Sequence, residues 1–299
     1  TPHLGFTFDH RHPGPGLKVA RVPDGAPGWF PKTRIQEGEY VMAIDGRPVS
    51  ADERLYEWIN DKQDREFEFL VGATASTNGA RIVKYKVLSQ DDWVDLEYRN
   101  RIDRRRDLVN TSSQGRLGYL HIQGMLAPNQ AKFEREVYDD MIGREGMIID
   151  VRFNTGGNIS DTLIDWLERR VHGYMRPRDG LVETSPALAW DKKVVVLMNE
   201  HSFSNGEMFP YAMRARHLGT LVGMPTPGYV IWTWELRLVD GTGARMPMTG
   251  FYRLDGSTQE NQGEVPDVRV PLPPDDWLQD RDPQLQKAIE LLLSGRKTP

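Results

Sequence analysis

Cysteine is absent from the 299 residues. That removes disulfides, thiolate catalysis and cysteine-based metal sites in one step, and leaves the compartment open. No apolar run approaches the ~20 residues that a membrane-crossing helix needs. Neither sign of charge dominates: the net charge is −5 at pH 7, too mild to mark nucleic acid or an anionic membrane as partner. Internal repeats and low-complexity tracts are also missing. The chain opens on Thr1 rather than Met, with no signal-like apolar segment behind it, and so reads as a trimmed or processed piece. What is present is a folding composition, with 9% aromatics and eight tryptophans. This length suits two domains.

One stretch organises the rest. Val194-Val195-Val196-Leu197-Met198 is a continuous apolar run of the kind shown by a strand buried on both faces. A polar turn follows over 199–204. Met208, Phe209, Ala212 and Met213 then recur at helical spacing, with Pro210 read as lying near the helix start. A serine at such a corner meets free backbone N–H groups and the positive end of a helix dipole, the setting an acyl-transfer nucleophile requires. Ser202 and Ser204 both qualify, as nucleophile or as plain helix cap.

Residues 1–90 alternate short strands with turns. Leu4-Gly5-Phe6-Thr7-Phe8, 17–22 and 40–44 read as strands, and Ser50 with Glu53 as a capping box opening a short helix. Glu66-Phe67-Glu68-Phe69-Leu70 alternates as a half-buried strand should, and Asn78-Gly79 turns into a strand over 81–87. Residues 91–115 read as a linker and charged lead-in. Arg101 to Arg106 is taken there as a solvated face, with a clamp for a substrate carboxylate as the alternative. From 116 to 299 strands and helices alternate, which predicts an α/β layered core. Strands are expected at 118–122 and 147–151, and helices at 131–141, 161–171 and 283–293. A hairpin is expected to pair 230–239 with 250–254.

Two loops in this region carry polar chemistry. Asp150-Val151-Arg152-Phe153-Asn154-Thr155-Gly156-Gly157-Asn158 puts paired glycines after a buried strand, where backbone N–H groups can turn toward a ligand. It lacks the Lys-Ser/Thr of a phosphate loop. The second runs from Gln259-Glu260-Asn261 to Pro266-Asp267.

Residues 1–90 resemble a PDZ domain, through Leu4-Gly5-Phe6, Ile35-Gln36-Glu37-Gly38-Glu39-Tyr40-Val41, Ile44-Asp45-Gly46 and the helix that follows. That resemblance implies a loop at Leu4, Gly5 and Phe6 that captures a peptide carboxylate, although His3 stands where the first glycine is usual. Nearly the whole chain resembles the tricorn branch of the C-terminal-processing serine peptidases. The match rests on the PDZ region, Gly118-Tyr119-Leu120-His121-Ile122, the loop from Asp150 to Gly157, Ser204-Asn205-Gly206-Glu207-Met208-Phe209, Glu260-Asn261 with Pro266-Asp267, and Gln284-Leu285 with Ala288-Ile289.

The resemblance implies a crotonase- or ClpP-like α/β peptidase core behind a small β-rich domain. Ser204 would be the nucleophile, and the N–H groups of Asn205 and of Gly156 or Gly157 would hold the oxyanion. Glu260 would support the base. It further implies a serine endopeptidase acting on unfolded polypeptides or oligopeptides, with no metal or organic cofactor, assembled as a homo-oligomer in the cytoplasm. Tyr229 occupies the position of the sister branch's catalytic lysine, which excludes a Ser–Lys dyad. The tricorn branch draws its base from a Ser-His pair ahead of the PDZ region, outside this chain. Of the seven histidines, His201 is nearest Ser204 in sequence and reads as a turn residue, and His121 reads as a core residue. Two other classes stand beside the peptidase: a peptide-binding module that does not cut, and a crotonase-type acyl-thioester enzyme.

Overall fold

The computed structural model describes residues 1–141, 143–187 and 189–294; the end of the expected 116–299 core, residues 295–299, lies outside them. The chain divides into two compact units, Thr1–Arg104 and Arg105–Pro299.

The first unit is a sheet in the order β1-β2-β3-β5-β6, with β4 paired to β3, all antiparallel. Its members are β1 (Thr7–Phe8), β2 (Leu17–Arg21), β3 (Tyr40–Ile44), β4 (Arg47–Pro48), α1 (Glu53–Ile59), β5 (Glu66–Gly72) and β6 (Arg81–Lys86). The alternation read in β5 is real: Phe67, Phe69 and Val71 are buried with Leu17, Val41 and Ile59, and Glu66 is exposed.

Two local expectations change. Leu4 to Phe6 is not strand, because Leu4 and Phe6 both turn into the core and Gly5 sits at φ +84°. Gly5 N–H donates to His3 Nδ1 at 3.1 Å, and Leu4 O accepts from Tyr85 Oη at 2.8 Å. Within the expected carboxylate loop, the Gly5 donor is therefore already engaged. The helix cap is Asp52 rather than Ser50: Asp52 Oδ1 accepts from Arg54 N at 3.0 Å, and Ser50 Oγ only buttresses Oδ2.

The stretch read as a linker is instead a helix, α2 (Gln90–Ser112), and the division between the units falls within it. Ser89 accepts from Asp92 N in its first turn. The arginine run is not uniformly solvated either. Arg105 is buried and its Nε lies 3.1 Å from Asp282 Oδ2, since a buried guanidinium needs a carboxylate partner.

The second unit is built on a five-stranded parallel sheet in the order β15-β12-β11-β8-β7. In chain order come β7 (Leu117–His121), α3 (Ala127–Asp139), β8 (Gly146–Asp150), α4 (Ser160–Leu167), β9 (Gly173–Met175), β10 (Glu183–Ser185), β11 (Lys193–Met198), α5 (Asn205–Ala215), β12 (Thr220–Gly223), β13 (Trp232–Arg237), β14 (Gly243–Thr249), β15 (Val268–Arg269), α6 (Pro274–Leu278) and α7 (Pro283–Ser294). Every residue of β7 and β8 is buried, which is why their sequences run apolar without alternation.

On one face Leu120, Ile149 and Val196 pack with Phe133 of α3, Leu163 of α4 and Phe209 of α5. α7 covers the other face: a Cβ placed on Gly146, which shares parity with Ile148, would meet Leu292 at 3.2 Å. The helix expected over 161–171 stops at Leu167, and β9 pairs with β10 beyond it. The hairpin closes tighter than expected, with β13 on β14 rather than on 250–254. Leu238 N–H bonds Thr242 O across Asp240-Gly241, so the return strand starts straight after the turn.

Candidate active site

The parallel order places the carboxyl ends of β8 and β11 side by side, and the loop over 150–158 and the turn over 199–204 leave from there. Cross-bonds strap the two exits together. Phe153 N–H donates to Asn199 Oδ1 at 3.1 Å, Phe203 N–H to Asn154 O at 2.9 Å, and Ser202 Oγ to Val151 O at 2.9 Å. Ser202 is wholly buried by these contacts and is a structural strut. Ser204, two residues on, is half-buried, with backbone at φ 52°, ψ −118°. A non-glycine residue rarely holds that conformation, which costs on the order of 1–3 kcal/mol and is met where a nucleophile must stand clear of its turn.

The loop from β8 lies directly over this serine. A Cβ on Gly156, itself at φ +82°, would come within 2.8 Å of Ser204 Cβ, so only glycine allows the approach. Asn154, fully buried, gives Nδ2–H to Ile122 O at 2.7 Å and takes Gly156 N–H on Oδ1 at 2.8 Å. Gly156 N–H is thereby spent on the loop itself. Among the described residues Gly157 N–H and Asn205 N–H have no partner. Asn205's side chain is tied to the start of α4, with Oδ1 accepting from Ser160 N and Nδ2 donating to Ser160 Oγ, each at 2.8 Å.

Beneath the loop, Arg152 is fully buried and saturated. It bonds both oxygens of Asp150, both of Asp282 (2.8 Å each) and Gln284 Oε1 (2.9 Å). Burial alone would raise the Asp150 carboxyl, but the charge and hydrogen bonds of Arg152 outweigh it and hold the group well below the usual carboxylate range.

On the other side of Ser204 stands Glu207, with no exposed surface. Its Oε1 accepts from Ser204 N at 3.2 Å and Tyr229 N at 2.7 Å, and its Oε2 from Thr226 Oγ1 at 2.5 Å and Gly228 N at 2.6 Å. Burial raises its pKa while those hydrogen bonds work against the rise. The next residue of the same loop, Val230, gives its N–H to Glu260 Oε2 at 2.6 Å, and Gln259 Nε2 donates to Glu207 O at 3.1 Å. Ser204 and Glu260 therefore belong to one hydrogen-bonded cluster, joined through Glu207. Tyr229 stacks its ring on Phe203 at 5.5 Å. Pro210 falls at the sixth position of α5, deeper than expected, and cannot bond back to Gly206 O.

No histidine among the described residues hydrogen-bonds Ser204. His201 is exposed and stacked on Phe153 at 5.3 Å. His121 is buried with Nε2 on Arg152 O at 3.0 Å, its pKa pushed down to about 4 by burial. Nor, among the described residues, does any group of three or more His, Asp or Glu side chains stand ready to hold a metal ion. No described helix is long and apolar enough to cross a membrane.

Sequence reasoning passed over Asn154 and the Arg152–Asp282 pair, and gave Glu207 no role. Glu207 had a visible signal, since a glutamate three residues after a serine at a helix start is the capping-box pattern. The other two depend on partners that only folding supplies.

Residues 116–270 match the model of peptidase family S41. The chain is 34% identical over 259 residues to the tricorn protease of Thermoplasma volcanium, covering 86% of this chain and 25% of that protein. It is 36% identical over 288 residues to tricorn protease homolog 1 of Streptomyces coelicolor, covering 94% and 26%. A crystal structure of the tricorn protease superposes on 98% of this chain and 29% of its own length, with a TM-score of 0.83 and 28% identity. The chain thus spans about a quarter of the length of these relatives. Its α/β core, with the strained serine beneath the Gly156 loop, belongs to peptidase family S41, and the chain is similar along most of its length to tricorn proteases.

Proposed function

We propose that these residues form the catalytic core of a serine endopeptidase acting on unfolded polypeptides or oligopeptides. The observation that carries this reading is a strained, half-buried Ser204 next to N–H groups of Asn205 and of the Gly156–Gly157 loop, where those of Asn205 and Gly157 have no partner among the described residues. Ser204 Oγ attacks the scissile carbonyl, its proton passes to a general base, and the carbonyl oxygen becomes an oxyanion held by those two donors. Collapse breaks the C–N bond, the amine leaves with the proton, and water then releases the acyl group from Oγ. Each such donor is worth roughly 10²- to 10³-fold in kcat. Gly156, whose N–H is engaged by Asn154, serves by its lack of a side chain rather than as a donor.

The base in this reading is a histidine from outside these 299 residues, which Glu260 orients through the carboxylate oxygen that Val230 does not use. The working protein would be a homo-oligomer in the cytoplasm, and residues 1–90 a PDZ-like domain. A fluorophosphonate probe tests the nucleophile. In the full-length protein it is expected to label Ser204, and Ser204→Ala is expected to abolish labelling; labelling that persists in that variant overturns the assignment. A module that holds peptides without cutting them is favoured by one observation, the lack of any histidine on Ser204. Absence of labelling in the full-length protein would select it.

A further inference from the structure

The structure assigns Glu207 a part in the peptidase reaction: we propose that it is a positioning residue that holds both Ser204 and the segment leading to Glu260 in their working geometry. This rests on the peptidase reading above and deepens it.

Three observations carry it. The first is saturation by donors. A glutamate at the third position of a helix ordinarily reaches back to one N–H, whereas Glu207 takes four donors, from Ser204, Thr226, Gly228 and Tyr229. The second is burial without a countercharge. No residue among Glu207's hydrogen-bond partners is a cation, so the groups that hold the carboxylate are N–H and O–H dipoles at the start of α5 and in the 226–229 segment. A fold that needed only a cap would not bury a carboxylate this way. The third is what the four donors join. Ser204 N belongs to the strained residue that would bear the nucleophile, and Tyr229 N adjoins Val230, whose N–H grips Glu260. Gln259, the neighbour of Glu260, is tied to the backbone oxygen of the same glutamate. One side chain therefore sets the spacing between the two groups the reaction would use.

The chemistry specifies an acceptor-only group. A glutamine in the same place must present NH₂ to one side. Facing Ser204 and Tyr229 it would orphan two N–H groups. Facing Thr226 and Gly228 it would orphan Gly228 N–H, while the Thr226 hydroxyl, already accepting from Glu264 N at 2.7 Å, could turn to accept again. Glu207→Gln is therefore expected to keep the helix and loosen the 226–230 segment. A displacement of about an ångström can cost on the order of 10²-fold in rate.

The test uses the full-length protein and compares Glu207→Gln, Thr226→Val and Thr226→Ser. The rate constant of fluorophosphonate labelling is read separately from its final stoichiometry, alongside kcat and KM on unfolded casein. Positioning predicts that Glu207→Gln labels to wild-type stoichiometry with a rate constant and a kcat both lower by about 10- to 100-fold, and with KM within about 2-fold. Thr226→Val should fall by a smaller factor and Thr226→Ser should match wild type. A merely structural glutamate would lower stoichiometry, through lost folded protein, and leave the rate constant unchanged; that result overturns the proposal. Should Glu207→Gln fail to fold, Thr226→Val decides alone, and a wild-type rate constant there overturns it equally. A wild-type protein that is not labelled at all overturns the peptidase reading itself, a result distinct from the others.

Discussion

Ser202 and Ser204 are the same residue type two positions apart on one turn, and the fold gives them opposite fates. Ser202 Oγ is consumed by Val151 O, whereas Ser204 is half-buried at a positive φ. What separates them is the chain crossing above: Gly156 passes so close to Ser204 that a methyl group has no room. Gly156→Ala adds a single methyl group and should fold, but at this buried position the methyl must push the loop away from the serine and strain φ +82°. We expect kcat to fall by at least about 100-fold and stability by roughly 1–3 kcal/mol. Steady-state kinetics with a urea titration checks both, and a near-normal kcat would show that the loop need not touch the serine.

At the scale of elements, the exit of β8 is held by charge and the adjacent exit of β7 by a neutral histidine. His121 is wholly buried on Arg152 O, with a pKa of about 4 against 6.5 for a free imidazole. In that window the unfolded chain binds the proton first, so stability is present in full above pH 6.5 and declines as pH falls to about 4. The loss attributable to this group is about 3 kcal/mol over the window. His121→Gln, whose amide can still donate to Arg152 O, should flatten that part of the acid limb. Urea midpoints at pH 7 and pH 4.5 measure it, and an undiminished acid loss in the variant would assign the limb elsewhere. Asp150, held below its ordinary range, adds its own loss only at still lower pH.

At the scale of the whole molecule, Ser204, the N–H groups of Asn205 and Gly157, and Glu260 would serve as nucleophile, oxyanion donors and supporting carboxylate, and no histidine among the described residues hydrogen-bonds Ser204. Serine without a base is a weak nucleophile at neutral pH, and loss of such a base costs several orders of magnitude. These residues alone should therefore turn over unfolded casein at a small fraction of the rate of the full-length protein. Robust turnover by them would point to an internal base, and His201→Ala would then be the first variant to assay.

Much of this protein was legible in sequence because it depends on short-range patterning. The apolar runs at 147–151 and 194–198, the alternation in Glu66-Phe67-Glu68-Phe69, and the strand-to-helix corner each follow from neighbours within one element. So the α/β core, several of its strands and helices, and the candidates Ser204, Asn205 and Glu260 could be named without coordinates. What only the tertiary structure decided involves partners far apart along the chain. Arg152 meets Asp282 from 130 residues away, Glu207 meets Tyr229 across a loop, and the arginine run read as solvated buries Arg105. Of the two glycine N–H groups in the loop, that of Gly156 is taken by the amide oxygen of Asn154, and that of Gly157 has no partner among the described residues. A donor's availability depends on every acceptor within reach, and acceptors are brought within reach only by the completed fold.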